Sequence, residues 1–319
     1  MTRQQERLGL LFAGLCALNG AFVPAVAVLT TGKADPLFVA TATSAWAAVC
    51  AAAVLARQGE LRVLLQPTVG PRLLAVGALG TAVAFCLFYY GASRASAIET
   101  VLSLQTEPAY SLLLSWVFLG HRPTPRRIAA IGVLLAGIAL AVGGAGFGRS
   151  TGVWFLLITP LCWQFSHLIV LRGLVGISPS VLTGARYIDG GLLLVLLWVA
   201  GGGLASLPAR EVMAVMPLLA LQGAILSYGG TLLWYQAITR LDLARSTAIV
   251  VPSIPLLSLA ASFVLLGEVP SASQWIGLLL TAAGVLVFVT APHAAGERER
   301  VPTATAPIAV PGPKTEAES

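Results

Sequence analysis

Few residues in this chain can do chemistry, and they lie far apart. Glu107 is the lone acid in the uncharged run between Glu99 and Arg122, and Pro108 follows it directly. Arg186 and Asp189 stand three apart in a second apolar run, SPSVLTGARYIDGGLLLVLLWVA. Asn19, Gln164 and His167 supply two amides and an imidazole, and Tyr89 and Tyr235 two phenols. Such groups inside apolar runs can hold a polar solute, exchange a proton or neutralise one another. Catalytic motifs are sparser. Ser93 and His167 could be imagined as the Ser/His pair of an intramembrane enzyme, but the first falls in a short loop and the second deep in a run. There is no P-loop for an ATP-driven pump, no HExxH and no metal-ligand cluster, so neither a metal nor a cofactor is expected.

What must position these residues follows from composition. Charged residues make up 10% of the 319 and hydrophobic ones 57%, against about 25% charged in a soluble domain. That supply cannot cover a water-facing surface, so the expected solvent is the lipid bilayer. Cys16, Cys50, Cys86 and Cys162 sit within apolar runs and form no CxxC, so they read as small buried hydrophobes. The N-terminal apolar run continues to Leu29, longer than a signal-peptide core, and reads as an uncleaved first helix. The tail 291–319 is rich in Pro, Ala, Thr and Glu and reads as disordered.

Runs long enough to span a bilayer occur at 8–29, 37–56, 72–91, 97–119, 126–145, 151–171, 180–200, 215–237, 243–266 and 273–290. With the N-terminus inside, fourteen of the 19 Lys and Arg residues fall on the cytoplasmic side and four outside, Arg186 lying within a span. The positive-inside rule then puts both termini in the cytoplasm. The net charge of +6 reflects this topology and does not point to a nucleic acid.

The chain also repeats itself. At an offset of 147, Thr100, Pro108, Ser111, Ser115, Gly120 and Pro123 match Thr247, Pro255, Ser258, Ser262, Gly267 and Pro270. Gly137 matches Gly284, and Tyr89 matches Tyr235 with a one-residue slip. Matches in Gly, Pro and Ser are not what apolar composition produces by chance. Two copies of five helices each, 8–145 and 151–290, follow. Five is odd, so the second copy is inverted, an arrangement frequent in secondary transporters. The fold class expected is all-α, with ten transmembrane helices in two inverted five-helix repeats.

The paired motifs LLLSWVFLGHRPT and LAASFVLLGEVPS, each followed by a helix carrying Gly137 or Gly284, resemble the drug/metabolite transporter superfamily, EamA type. The resemblance covers roughly 8–290. It implies a ten-helix carrier of small metabolites or amphipathic compounds, working by alternating access in the cytoplasmic membrane, with export the expected direction. The family's Leu-Gly-Glu ending stands complete at Leu266-Gly267-Glu268, whereas His121 replaces the acid in the first copy. A non-transporting sensor or scaffold is the other reading.

Within that frame Glu107 falls about halfway through the fourth span, where an ionisable group costs about 2.5–3.5 kcal/mol on insertion scales. Pro108 frees the carbonyl of Leu104, and irregular backbone at depth is tolerated where it lines a cavity. Acid and proline together read as a cavity wall, with proton coupling open to the acid; the alternative is a neutral glutamic acid that only packs. Pro24, Pro252 and Pro255 are the other expected helix kinks. Arg186 and Asp189, on one face of an α-helix, read as an internal ion pair with Arg186 snorkelling to the cytoplasmic surface, or Arg186 reads as a fixed cation for an anionic substrate or a partner for Glu107. Asn19, Gln164 and His167 are either helix–helix glue or substrate contacts. Tyr89 and Tyr235 are expected in the interfacial aromatic belt, or as gates. The partners expected are a small-molecule substrate and lipid, with the chain a monomer or homodimer.

Overall fold

A computed structural model describes residues 3–120, 122–143, 151–203, 209–241 and 243–291; within these, side chains at 3, 209–211, 235, 238–239 and 243–248 fall outside the description. Every regular element among the described residues is a helix. In lipid no water satisfies backbone N–H and C=O groups, so each spanning segment must bond within itself.

The spans are α1 (Arg3–Thr31), α2 (Pro36–Gln58), α3 (Gly70–Ala92), α4 (halves Ala97–Leu104 and Glu107–Leu119), α5 (Pro125–Gly143), α6 (Gly152–Gly173), α7 (Pro179–Ala200), α8 (209–241), α9 (Leu243–Leu266) and α10 (Ala272–Thr290). Nine of them run unbroken and are long and apolar enough to cross a membrane. The tenth, α4, is divided at Gln105 and Thr106, where i→i−3 turns replace the α-helical bonds.

Local signals set the ends. Asp35 caps α2 by accepting from the N–H groups of Leu37 and Phe38, with Pro36 at the first helical position. Ser96 and Glu99 form a capping box on α4, and Ser271 and Gln274 form another on α10. The repeated Leu-Gly pair has the same explanation twice. Gly120 ends α4 at φ 72° and Gly267 ends α9 at φ 67°, a left-handed conformation that disfavours any residue with a Cβ.

The packing exchanges partners between the copies. α1 packs on α8 and α9, and its counterpart α6 packs on α3 and α4; α2 packs on α7 and α8, and α7 on α2 and α3. α5 and α10, the last helix of each copy, pack on each other. That last contact runs through glycine. A Cβ at Gly137 would lie 2.6 Å from the Gly277 carbonyl oxygen and from the Thr281 nitrogen, and one at Gly284 would lie 2.7 Å from the Leu134 nitrogen. Small residues let two helices in lipid touch backbone to backbone.

Three spans carry an internal π-helical stretch: Ala78–Val83 in α3, Ala185–Asp189 in α7 and Leu221–Gly229 in α8. α9, by contrast, passes Pro252 and Pro255 as one helix. The break at Pro108 therefore has no counterpart at Pro255, although the sequence repeats the proline.

Candidate functional site

The break in α4 is built from both sides. On the N-terminal side, Glu268 of the α9–α10 loop accepts from the N–H of Ala97 at 3.0 Å and from that of Ile98 at 3.2 Å. With the capping box this satisfies the exposed donors of α4 and ties the helix to the second copy. On the other side Pro108, at the second position of the new helical half, cannot donate a bond back. Thr106 turns its hydroxyl onto the Ser103 carbonyl at 2.9 Å. Glu107 is thereby the first residue of a half-helix, where the N-terminal dipole favours a negative group.

Around Glu107 the structure assembles three of the polar residues singled out in the sequence. Gln164 of α6 donates its amide to Glu107 Oε1 at 2.8 Å, and the same amide nitrogen lies 3.5 Å from Nδ1 of His167. Arg186 of α7 comes to the same stretch of α3 as Ser166, the residue two after Gln164 in α6. Its guanidinium donates to the Gly80 carbonyl at 3.0 Å, in the π-helical stretch of α3. This approach needs the glycine, because a Cβ at Gly80 would meet Arg186 Nε at 3.2 Å and Ser166 Oγ at 2.7 Å. Ser166 donates to the Val76 carbonyl at 3.2 Å.

Part of this cluster keeps accessible surface. His167, in the second half of α6, leaves much of its surface exposed; Glu107 and Arg186 keep part of theirs. The cluster offers a carboxylate, an amide, an imidazole and a guanidinium.

The sequence pattern of the EamA-like transporter family matches this chain twice, over residues 7–143 and 150–290. The chain belongs to that family. It is 31% identical over 222 residues to a probable terminal-alkyne amino-acid exporter of Streptantibioticus cattleyicolor, an alignment covering 68% of this chain and 72% of the relative. A solved crystal structure superposes with a TM-score of 0.63 over 89% of this chain and 97% of its own, at 21% identity, which speaks for the fold alone. The EamA-like chain is thus a multi-pass membrane protein of a transporter family.

Several expectations are corrected by the geometry. Arg186 and Asp189 form no ion pair among the described residues. The π-helical turn has more than four residues, so a spacing of three no longer brings two side chains onto one face. Asp189 lies beside Gly77, while Arg186 reaches on to Gly80. Nor does Arg186 run to a membrane surface, since its Nε is buried and without a hydrogen-bond partner. Tyr89 is not in an interfacial belt. It is 2% exposed and packs edge-on against Phe85 and Phe88 in the core between α2, α3 and α7. Its neighbour Tyr90 is the exposed one, stacked under Arg94 at 3.6 Å. The side chain of Tyr235, and His121 altogether, lie outside the described residues.

Asn19 is separate from the Glu107 cluster. It donates to the Ile225 carbonyl at 2.9 Å, in the π-helical stretch of α8, near buried Pro24. Its repeat mate at the offset of 147 is Ser166, which performs the same service for α3, a residue missed because a lone serine carries no signal without its partner helix. Gln222 was missed as well. It is 1% exposed, and Thr30 donates to its Oε1 at 3.2 Å.

Proposed function

We propose that this EamA-like protein exports a small polar metabolite across the cytoplasmic membrane by alternating access between its two halves, 8–145 and 151–290. Both termini are then cytoplasmic, a reading the base distribution supports. One observation carries the reading: an acid with accessible surface deep in the membrane span, at the broken point of α4, hydrogen-bonded across to α6. An ionisable group there is costly and is retained where it meets a solute, an ion or a proton. The contact joins the two copies, so closing one access path against the other must move Glu107 relative to Gln164. The exporter of S. cattleyicolor supports outward movement of an amino-acid-like solute.

The test is flux. Proteoliposomes containing the purified protein are loaded with a mixture of small metabolites, and protein-dependent loss of each is followed by mass spectrometry. Selective loss of an unmodified solute is expected. Loss of none would favour a sensor or scaffold, and appearance of an altered compound would favour an enzyme.

A further inference from the structure

The two copies hold matching residues in different surroundings. At the offset of 147, Leu113, Leu114, Trp116 and Val117 of α4 match Ala260, Ala261, Phe263 and Val264 of α9. These pairs agree: Leu114 and Ala261 are buried, and the other three pairs are exposed on both helices. The arc turned to lipid is therefore the same in both copies. One face breaks the agreement. Ser111, Leu112 and Ser115 keep accessible surface, whereas their mates Ser258, Leu259 and Ser262 are buried. The helices that α4 and α9 meet differ in the same sense. Leu168 of α6 keeps accessible surface, and its mate Ala21 of α1 is buried. Beside Ala21, α1 closes on α9 by an apolar contact, since a Cβ on Gly20 would lie 3.1 Å from Ile254 Cδ1. Gly20 and Ile254 are the mates of His167 and Glu107, where the first copy carries the polar cluster instead.

The surplus surface is thus on a serine-bearing face outside the lipid arc, and only in one copy. In the orientation proposed above, the second half of α4 runs to the cytoplasm and that of α9 to the outside. Resting on the alternating-access reading and that orientation, we propose that the Ser111–Ser115 face of α4, with Leu168 of α6, lines a watery entry path from the cytoplasm. Its mate, the Ser258–Ser262 face of α9 beside α1, is the exit path, closed in this structure. Inverted copies allow a second state with the surroundings exchanged, in which Ser258 and Ser262 become accessible and Ser111 and Ser115 are covered.

The test is single-cysteine labelling with a membrane-impermeant sulfonated maleimide, on inside-out and right-side-out membrane vesicles. Serine to cysteine changes little in size. The parent protein, with its four native cysteines, sets the background. Leu113→Cys, between the two serines in the chain and 48% exposed on the lipid arc, is the control for depth. Ser111→Cys and Ser115→Cys are expected to label from the cytoplasmic face at least about tenfold faster than Leu113→Cys, because the thiolate reacts and apolar surroundings suppress it. Ser258→Cys and Ser262→Cys should label no faster than the control from either face. If a serine variant does not insert, Leu112→Cys and Leu259→Cys replace that pair with the same expectation. Labelling of the α4 pair no faster than the control, or equal labelling of the α4 and α9 pairs, would overturn the path assignment and leave the transport reading standing. Labelling of the α4 pair from the outer face alone would overturn the assignment of entry and exit. The expected pattern with no flux of any solute in the metabolite mixture would instead sink the transport reading, leaving water at α4 with nothing carried through it.

Discussion

Gly137 and Gly132 lie in the same helix and differ in what a methyl group would meet. At Gly137 a Cβ would stand 2.6 Å from the Gly277 carbonyl oxygen, the Thr281 nitrogen and the Thr281 hydroxyl, two of these being backbone atoms of α10 that cannot rotate away. At Gly132 nothing lies within 4 Å. Replacing either glycine by alanine gains the same helix propensity, about 1 kcal/mol. That gain cancels in the comparison, leaving only the overpacking at Gly137, about 1–3 kcal/mol. Gly132→Ala is expected to be neutral or slightly stabilising, and Gly137→Ala destabilising relative to it by that amount. Gly284→Ala, whose Cβ would meet Leu134 N at 2.7 Å and Ala130 O at 2.9 Å, should fall with Gly137→Ala. Thermal unfolding in detergent, followed by the loss of the monodisperse peak on size-exclusion chromatography, ranks the three. Equal midpoints for Gly132→Ala and Gly137→Ala would refute the α5–α10 contact as drawn.

Other substitutions test other joints. Glu268→Ala removes two charge-assisted bonds to the start of α4 and should cost about 1–2 kcal/mol in the same assay; an unchanged midpoint would mean that the loop does not anchor the helix. Tyr89→Ala should cost about 3–5 kcal/mol as a large buried aromatic, whereas Tyr90→Ala, 40% exposed, should cost under about 1 kcal/mol; the reverse order would return Tyr89 to the interface. A reporter fused after Ser319 should read the cytoplasm and one inserted at 32–36 the opposite side, and the inverse pattern would contradict the orientation.

The ten spans were legible because lipid leaves the chain little choice but long apolar helices, and their limits fall within a few residues of the structure, apart from the longer α1 and α8. The repeat was legible in Gly and Pro, whose backbone roles tolerate few substitutes: Gly120 and Gly267 both need positive φ, and Gly137 and Gly284 both touch backbone. The two halves of α4 part at Gln105 and Thr106, directly before Glu107 and Pro108. The π-helical stretches were not legible, since an i→i+5 bond leaves no side-chain pattern. The error at Arg186 and Asp189 follows from that alone. Tyr89 misled because an aromatic near a span end is placed by tertiary packing, which the local sequence does not contain. Glu268 needed a neighbour 171 residues away to acquire its role.

The central claim is that Glu107 works as an ionisable group in the transport path. Glu107→Gln keeps the length of the side chain and an oxygen for Gln164, but cannot carry a charge. The decisive measurement is efflux from proteoliposomes of the solute found by metabolite loss, for wild type and Glu107→Gln, with and without a pH gradient. Arg186 and His167 are unchanged in the variant, so the comparison isolates the carboxyl group. The variant is expected to insert and fold normally yet lose flux at least tenfold, or to lose its response to the pH gradient, with Asp189→Asn affected less. A Glu107→Gln protein with wild-type flux and wild-type pH dependence would reduce Glu107 to a packing residue and contradict the account.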